Sequence, residues 1–264
     1  LIYNYNIVLS NGIMCRFTLR RDSLFHLIDE KKRQLDKKRP LPVNSLNSLK
    51  EALAVEWTYH SNAIEGNTLN LAETKVVLEG ITVGGKSLRE HLEAINHKQA
   101  IQYIEDIVTH EEEFSEWQIK NIHQIILKGI DDENAGVYRH ENVLIVGAKH
   151  FPPEHFRVPD LMEQLIQWYK TEAQELHPVE KAARLHVLFV GIHPFVDGNG
   201  RTARLLLNLE LMKAGYTPLI IRKEDRLAYY ESLDLAHSEE KYNDFLLLVA
   251  EALNRSLDLY LRVV

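Results

Sequence analysis

Apolar residues recur three and four positions apart through most of the chain, and runs of β-branched residues are few. Residues at this spacing share one face of an α-helix, so the pattern predicts a largely helical protein. Within the charged segment 20–38 it predicts a first helix, which Pro40 and Pro42 end. A second helix is predicted from about Ser45. Its apolar face comprises Leu46, Leu49, Leu53, Trp57 and Ile64.

Capping patterns mark the ends of the predicted helices. Three later helices are expected to begin at Asn70, Ser87 and Ser115, because each is followed three positions later by Glu or Gln. Glycines predict where helices end, since glycine readily adopts the left-handed conformation of a C-terminal cap. These glycines are Gly66, Gly80, Gly129 and Gly215. Further helices are predicted at 159–174, 178–190 and 201–214, with two more before the C-terminus.

One segment breaks the helical pattern. Val143-Leu144-Ile145-Val146-Gly147 is short and β-branched, and it is followed by Pro152 and Pro153, which predicts a strand or hairpin. The chain has no internal repeat, Gly/Ser linker or low-complexity tract, which favours one compact all-α domain. We expect this domain over 46–264, preceded by a helical extension over 1–45.

Composition narrows the class of protein. The 264 residues include 31 Lys and Arg against 38 Asp and Glu, a formal net charge of −7. This acidic balance argues against broad nucleic-acid binding, which needs a basic surface to neutralise phosphates. The single cysteine, Cys15, cannot form an internal disulfide, which favours a reducing compartment.

The sequence predicts neither a membrane span nor an export signal. The longest charge-free apolar stretch, from Leu185 to Val196, falls well short of the ~20 residues that a membrane-spanning helix needs. Residues 1–12 lack a positively charged leader before their short apolar run. We therefore expect a cytoplasmic protein with neither a membrane nor a nucleic acid among its partners.

The most unusual stretch is HPFVDGNGRTAR, residues 193–204, between two predicted helices. The Gly-Asn-Gly run lets successive backbone N–H groups converge on an anion at the positive end of the next helix. Arg201 and Arg204, three positions apart, can address the same anion. A plain turn at 197–200 is the alternative, but both flanks have helical spacing. The stretch therefore suits a polyphosphate.

Two further residues of this stretch suit transfer chemistry. Asp197 offers one carboxylate, and Mg²⁺ is usually held by one or two carboxylates together with phosphate oxygens and waters. His193, with an ordinary pKa of about 6.5, suits a general base for a hydroxyl that attacks phosphorus. Together they predict a nucleotidyl or phosphoryl transfer site.

The stretch resembles the motif H-P-F-x-[D/E]-G-N-G-R-x-x-R of Fic-domain proteins at every specified position. Most members of that family transfer AMP from ATP to a Ser, Thr or Tyr hydroxyl of a protein. The resemblance implies a Fic-type helical bundle in which His193 deprotonates the hydroxyl and Asp197 binds Mg²⁺ between the α- and β-phosphates. It also implies nucleotide contacts from Asp197, Gly198, Asn199, Gly200, Arg201, Thr202, Ala203 and Arg204.

A second stretch, SNAIEGN at residues 61–67, resembles the inhibitory motif [S/T]-x-x-x-E-[G/N] of the family. Ser61 and Glu65 lie four positions apart at the end of the predicted helix over about 46–66, and so share a face. The resemblance implies that Glu65 pairs with Arg204, which otherwise grips the γ-phosphate of ATP. We therefore expect autoinhibition, with a merely solvated Glu65 as the alternative.

By the same resemblance, 143–147 would form a β-hairpin flap, with a returning arm at 150–153. Such a flap docks the target protein by main-chain pairing, whereas a buried packing element is the alternative. Relatives often form dimers, so a homodimer is possible. The remaining expected nucleotide contacts are Glu65, the flap residues Val146 and Gly147, the tyrosines Tyr229 and Tyr230, and His237, which stands where some relatives have asparagine.

Other functions remain open from the sequence. Glu65 could instead orient a water that removes AMP from a modified side chain, as in some relatives with this N-terminal glutamate. A non-catalytic regulatory binding module is a third hypothesis. Transfer of phosphate or of another nucleotide also stays possible, because the motif addresses the diphosphate more than the base.

Overall fold

The structure, a computed structural model, describes residues 21–264. Its first helix, α1, is described over 21–36. The others are α2 (Val43–Ile64), α3 (Leu71–Leu78), α4 (Leu88–Thr109), α5 (Glu116–Leu127), α6 (Val158–Lys170), α7 (Pro178–Ile192), α8 (Asn199–Lys213), α9 (Arg226–Glu239) and α10 (Asn243–Val263). Short 3₁₀ helices lie at His155–Arg157, Glu172–Glu175 and Lys223–Asp225. The prediction of a helical fold is therefore confirmed for these residues.

Several expectations concern the first 20 residues. The statements about Cys15, about the run 1–12 and about the start of the first helix lie outside the described residues. Within 21–264, no helix is long and apolar enough to cross a membrane.

The predicted N-terminal caps of α3 and α4 are present as reciprocal pairs, and at α5 the Ser115 N–H donates to Gln118 Oε1 at 3.2 Å. The Asn70 side chain accepts a hydrogen bond from the Glu73 N–H at 2.9 Å, and Glu73 accepts one from the Asn70 N–H at 2.8 Å. Ser87 and Glu90 make the same reciprocal pair. These bonds satisfy N–H groups that the first turn of a helix leaves without partners, which explains why the helices begin there.

Two apolar cores lie on either side of the pair α7 and α8. The first core includes Ile28 of α1, Leu53 of α2 and Phe245 of α10, together with one face of α7 and α8. The second core is formed by α4, α5 and α6 with the opposite face of the same pair. Every residue of α8 from 201 to 211 is buried. Because each buried leucine contributes roughly 1.5–3 kcal/mol, α8 is a rigid support for the loop that precedes it.

The strand predicted at 143–147 is not formed. No strand is assigned within 21–264, and the segment makes a turn closed by a hydrogen bond from the Ala148 N–H to the Ile145 carbonyl at 3.3 Å. Leu144 and Val146 are 76% and 100% exposed. β-branched residues favour a strand when a partner strand is present. Val143 and Ile145 are partly buried, but no partner strand is described beside them.

Candidate active site

Residues 193–200, which we call the motif loop, run from the end of α7 into the first turn of α8. The Asn199 side chain accepts a hydrogen bond from the Phe195 N–H at 3.0 Å and donates one to the Phe195 carbonyl at 2.8 Å. The Phe195 ring is fully buried. Since the Asn199 side chain is used to close the loop, only its backbone N–H remains for an anion.

His123 of α5 packs against the motif loop and donates a hydrogen bond to it. Its Nδ1 accepts a hydrogen bond from the Gly136 N–H at 2.9 Å, so its Nε2 carries the proton that it donates to the Asp197 carbonyl at 2.8 Å. The ring stacks on Phe195 with centroids 3.6 Å apart. A Cβ on Gly198, whose φ is +77°, would lie 3.2 Å from the His123 ring. Sequence reasoning missed His123, because nothing in its local pattern separates it from a helix-face residue.

His193 ends α7 in a left-handed conformation, with φ at +50°. Burial and the neighbouring Arg139 guanidinium lower the pKa of His193 to about 4. The imidazole is therefore neutral at pH 7, which is the form that accepts a proton.

Arg139 is a second residue that the sequence analysis missed. Its Nε donates to the His193 carbonyl and its N–H to the Pro194 carbonyl, both at 2.9 Å. The same guanidinium donates to the carbonyls of Glu141 and Pro153. Arg139 therefore links both ends of the irregular segment 141–153 to the motif loop.

Asp197 and Arg201 belong to a closed ring of charges that includes two residues of α4. Asp197 Oδ1 lies 3.2 Å from Arg201 Nη2, and Asp197 Oδ2 lies 2.5 Å from Arg89 Nη2. Glu93 Oε1 completes the ring, at 3.2 Å from Arg89 Nε and 3.4 Å from Arg201 Nη1. Arg89 and Glu93 were also missed, since an Arg and a Glu four positions apart usually form a solvated helix pair.

Asp197 fits a magnesium ion that is shared with phosphate oxygens. Burial acts to raise its pKa, but Arg201, the Gly198 N–H and Arg89 outweigh burial, so the pKa of Asp197 is lowered and the carboxylate is ionised. Within 21–264, no group of three His, Cys, Asp or Glu side chains could hold a metal ion by itself. One ionised carboxylate near a helix N-terminus that favours anions matches the way proteins hold Mg²⁺ with a nucleotide.

Arg204 is buried, and α2 and α9 occupy all three of its guanidinium nitrogens. Nη1 lies 2.8 Å from Glu65 Oε1 and donates to the Tyr229 hydroxyl at 3.3 Å. Nε donates to Ser61 Oγ at 3.0 Å, and Nη2 donates to the Ser61 carbonyl at 2.8 Å. The structure thus brings together the three residues Ser61, Glu65 and Arg204 that the sequence analysis connected.

The Glu65 carboxylate also lies directly over the first turn of α8. A Cβ built on Gly200 would be 2.2 Å from Glu65 Oε1, a distance that real atoms do not reach. Gly200 therefore has to be glycine while Glu65 is in this position. The carboxylate occupies the space where the helix dipole and the free N–H groups favour an anion.

The two tyrosines differ in their surroundings. Tyr229 is 1% exposed, and its hydroxyl lies between Arg204 and His186, 3.1 Å from His186 Nε2. Tyr230 is 38% exposed and donates to the Ile64 carbonyl at 3.3 Å. Tyr229 therefore contacts the arginine, whereas Tyr230 presents a ring to solvent beside α2.

The other expected nucleotide contacts lie in different surroundings. Thr202 and Ala203 are fully buried on α8. His237 donates to the Val187 carbonyl at 2.8 Å. Within the described part of the chain, no hydrogen bond joins Val146 or Gly147 to the motif loop.

The fold and site define a helical protein with an anion site at the start of a buried helix. Comparison with known proteins agrees with this description. The family model described as the Fic/DOC family matches residues 113–211. A relative from Drosophila virilis called protein adenylyltransferase Fic is 40% identical over 220 residues, which are 83% of this chain and 45% of the relative. The chain thus spans about half the length of the curated relatives it matches.

Two solved structures resemble the whole described fold. Fic-1 of C. elegans (residues 134–508) superposes with a TM-score of 0.88 at 29% identity, covering 97% of this chain and 76% of that chain. A Fic domain containing signaling protein from Bacteroides thetaiotaomicron VPI-5482 gives 0.83 at 30% identity, with coverage of 91% and 96%. The chain therefore belongs to the Fic/DOC family.

Proposed function

We propose that this chain is a protein adenylyltransferase. It would transfer AMP from ATP to a Ser, Thr or Tyr hydroxyl of a target protein or of itself. The observation that carries the proposal is the neutral His193 at the edge of an anion site that contains Asp197, Arg201 and Arg204. The names of its curated relatives, protein adenylyltransferase Fic, support the same reaction.

The transfer follows from the positions of these groups. The neutral imidazole of His193 takes the proton of the target hydroxyl, and the hydroxyl oxygen attacks the α-phosphorus of ATP. A bond forms between that oxygen and phosphorus, the bond from the α-phosphorus to the bridging oxygen breaks, and pyrophosphate leaves. Arg201 and Arg204 balance the charge that develops on the leaving phosphates. Magnesium, which Asp197 would hold, supplies further neutralisation of the phosphates.

We propose that Glu65 inhibits this reaction by occupying part of the nucleotide site. Its carboxylate binds Arg204 and lies over Gly200, so a phosphate cannot use either without displacing it. A nucleotide bound beside Glu65 is misplaced relative to the hydroxyl, and a misplacement of about 1 Å can cost about a hundredfold in rate.

The target protein would dock along 143–147. Leu144 and Val146 are exposed. Between 143 and 147 the one backbone hydrogen bond among the described residues is the one that the Ile145 carbonyl accepts, so the other backbone groups can pair with a target. A target segment in extended form could add to it as a strand and supply the pairing that the isolated segment lacks.

The experiment that tests the function uses ATP labelled at one phosphate at a time. The Glu65→Gly variant should incorporate label from the α-phosphate and not from the γ-phosphate. Incorporation from the γ-phosphate would indicate phosphorylation, and no incorporation from either would contradict the transferase assignment. Repeating the reaction with GTP, UTP and CTP measures the preference for the base.

Removal of AMP is the second candidate function, because the Glu65 carboxylate is 32% exposed at the edge of the site and could orient a water. Wild-type chain incubated with an AMP-modified target, without ATP, should release AMP if this activity is present. A Glu65→Gln variant should then lose the release, since the amide cannot take a proton from the water.

A further inference from the structure

Arg89 occupies the carboxylate oxygen of Asp197 that a metal ion would need. Oδ1 of Asp197 accepts the Gly198 N–H at 2.6 Å and lies 3.2 Å from Arg201 Nη2. Oδ2 is bound by Arg89 Nη2 alone among the described residues, at 2.5 Å. Both oxygens of the one carboxylate suited to magnesium are therefore already in use.

The two arginines differ in their freedom to move. The Arg201 side chain is 2% exposed and enclosed under the motif loop, whereas the Arg89 side chain is 57% exposed on the first turn of α4. Replacing the Arg201 contact would require the loop to open. Replacing the Arg89 contact requires one side chain to swing towards water, which costs little because exposed ion pairs are weak.

Glu93 keeps Arg89 close after such a movement. Glu93 Oε1 lies 3.2 Å from Arg89 Nε, one turn along α4. Glu93 itself is fixed by the Asn67 amide, which donates to Oε2 at 2.8 Å, and its carboxylate is 13% exposed. Arg89 can therefore leave Asp197 without leaving the neighbourhood of the anion site.

We propose that Arg89 is a resident counter-ion of Asp197 that a divalent cation must displace when a nucleotide binds. Arg89 thus sets the magnesium requirement of the site, separately from the Glu65–Arg204 pair. It is a positioning residue, because it acts through Asp197. The inference rests on the proposed nucleotide site, and it adds a second point of control that acts on Asp197 and not on Arg204.

The test compares how strongly magnesium strengthens nucleotide binding in three variants. All carry Glu65→Gly, so that the site is open; the second adds Arg89→Ala, and the third adds Arg262→Ala, the same charge change on the exposed end of α10. Calorimetry measures the Kd of an ATP analogue that resists cleavage between the α- and β-phosphates, first with chelator and then at increasing Mg²⁺. No turnover is involved.

We expect Arg89→Ala to lower the Mg²⁺ concentration that gives half of the affinity gain by about 1.5-fold to fivefold, the range for exposed ion pairs. Arg262→Ala should leave this Mg²⁺ concentration unchanged. An equal or higher Mg²⁺ requirement in Arg89→Ala would overturn the proposal while leaving the transferase assignment intact. Absence of nucleotide binding in all three variants would instead contradict the proposed function, and the inference with it.

Discussion

The Glu65 carboxylate lies 2.8 Å from Nη1 of Arg204, across 139 positions of sequence. Arg204 is enclosed by α2 and α9, so its end of the ion pair is shielded from solvent. A buried guanidinium that loses its carboxylate gains by binding another anion in the same place. The pair therefore links the end of α2 to the first turns of α8, where the phosphate site is proposed.

Removing the Glu65 carboxylate should raise the affinity for ATP. We expect Glu65→Gly to lower the Kd for ATP by about tenfold or more, because Arg204 and the first turn of α8 then become free to bind phosphates. Calorimetry with wild type and variant measures the change.

Glu79→Gly is a matched control for that measurement. Glu65 and Glu79 each follow the last residue of a helix, with φ of −86° and −85°, and a glycine follows each. The backbone effect of the substitution should therefore be alike. If Glu79→Gly tightened ATP binding as much as Glu65→Gly does, the gain would come from the backbone and not from release of Arg204.

The effect of Gly200→Ala on the free energy of unfolding should depend on whether the Glu65 carboxylate is present. With Glu65 present, the added Cβ meets its Oε1, and we expect a loss of about 1 kcal/mol or more. In the Glu65→Gly background, the same change should cost less, since only Arg204 Nη1, 3.1 Å from the added Cβ, still has to move and alanine favours the helix. Urea denaturation of wild type, the two single variants and the double variant gives the coupling energy between positions 65 and 200. Additive effects would mean that the two residues are not in contact.

Ser61→Ala should weaken the hold on Arg204 without abolishing it. The substitution removes the bond from Arg204 Nε to Ser61 Oγ, while the bond to the Ser61 carbonyl and the pair with Glu65 remain. We expect a rise in self-modification of roughly twofold to tenfold, below that of Glu65→Gly. Ser48→Ala, on an exposed position of the same helix, should have no effect.

Stability should fall as the pH drops from about 6.5 towards 4, in part because of His123. Burial lowers the pKa of His123 from 6.5 to about 4. Above pH 6.5 neither the folded nor the unfolded state binds this proton, whereas between 6.5 and 4 only the unfolded state binds it. Each such histidine lowers the free energy of unfolding by up to about 1.4 kcal/mol for each pH unit in this range.

His97 and His186 have pKa values well below 6.5 for the same reason, burial, so they add to the slope. In the His123→Phe variant, the free energy of unfolding should fall less steeply as the pH drops. The difference in slope should equal the contribution of about one histidine, whatever the stability of the variant at pH 7.5. Denaturation curves from pH 7.5 to 5 measure it; an unchanged slope would mean that His123 is protonated in the folded state.

The helices and the motif loop could be predicted because their causes are local. The caps at Asn70 and Ser87 depend on residues three positions away, and the spacing of Leu49 and Leu53 determines which face of α2 is buried. The Glu65–Arg204 contact spans the chain, and spacing alone could not give it. The sequence predicts this contact only through the resemblance of two motifs, in order, to those of one family.

The missed residues act over long separations and without a local pattern. Arg89 meets Asp197 across 108 positions, and Arg139 meets the His193 carbonyl across 54. In the sequence, each is an arginine among other charged residues. The strand expected at 143–147 was the opposite error, because β-branched residues were given a structure that only a partner strand could stabilise.

The most direct test of the central claim is the intact mass of the Glu65→Gly variant after incubation with ATP and Mg²⁺. The account predicts a gain of one or more AMP units in Glu65→Gly, little or none in wild type and Glu79→Gly, and none in the Glu65→Gly/His193→Ala double variant. An unmodified Glu65→Gly chain that still binds ATP, or a mass gain equal in wild type, would contradict a transferase held inactive by Glu65.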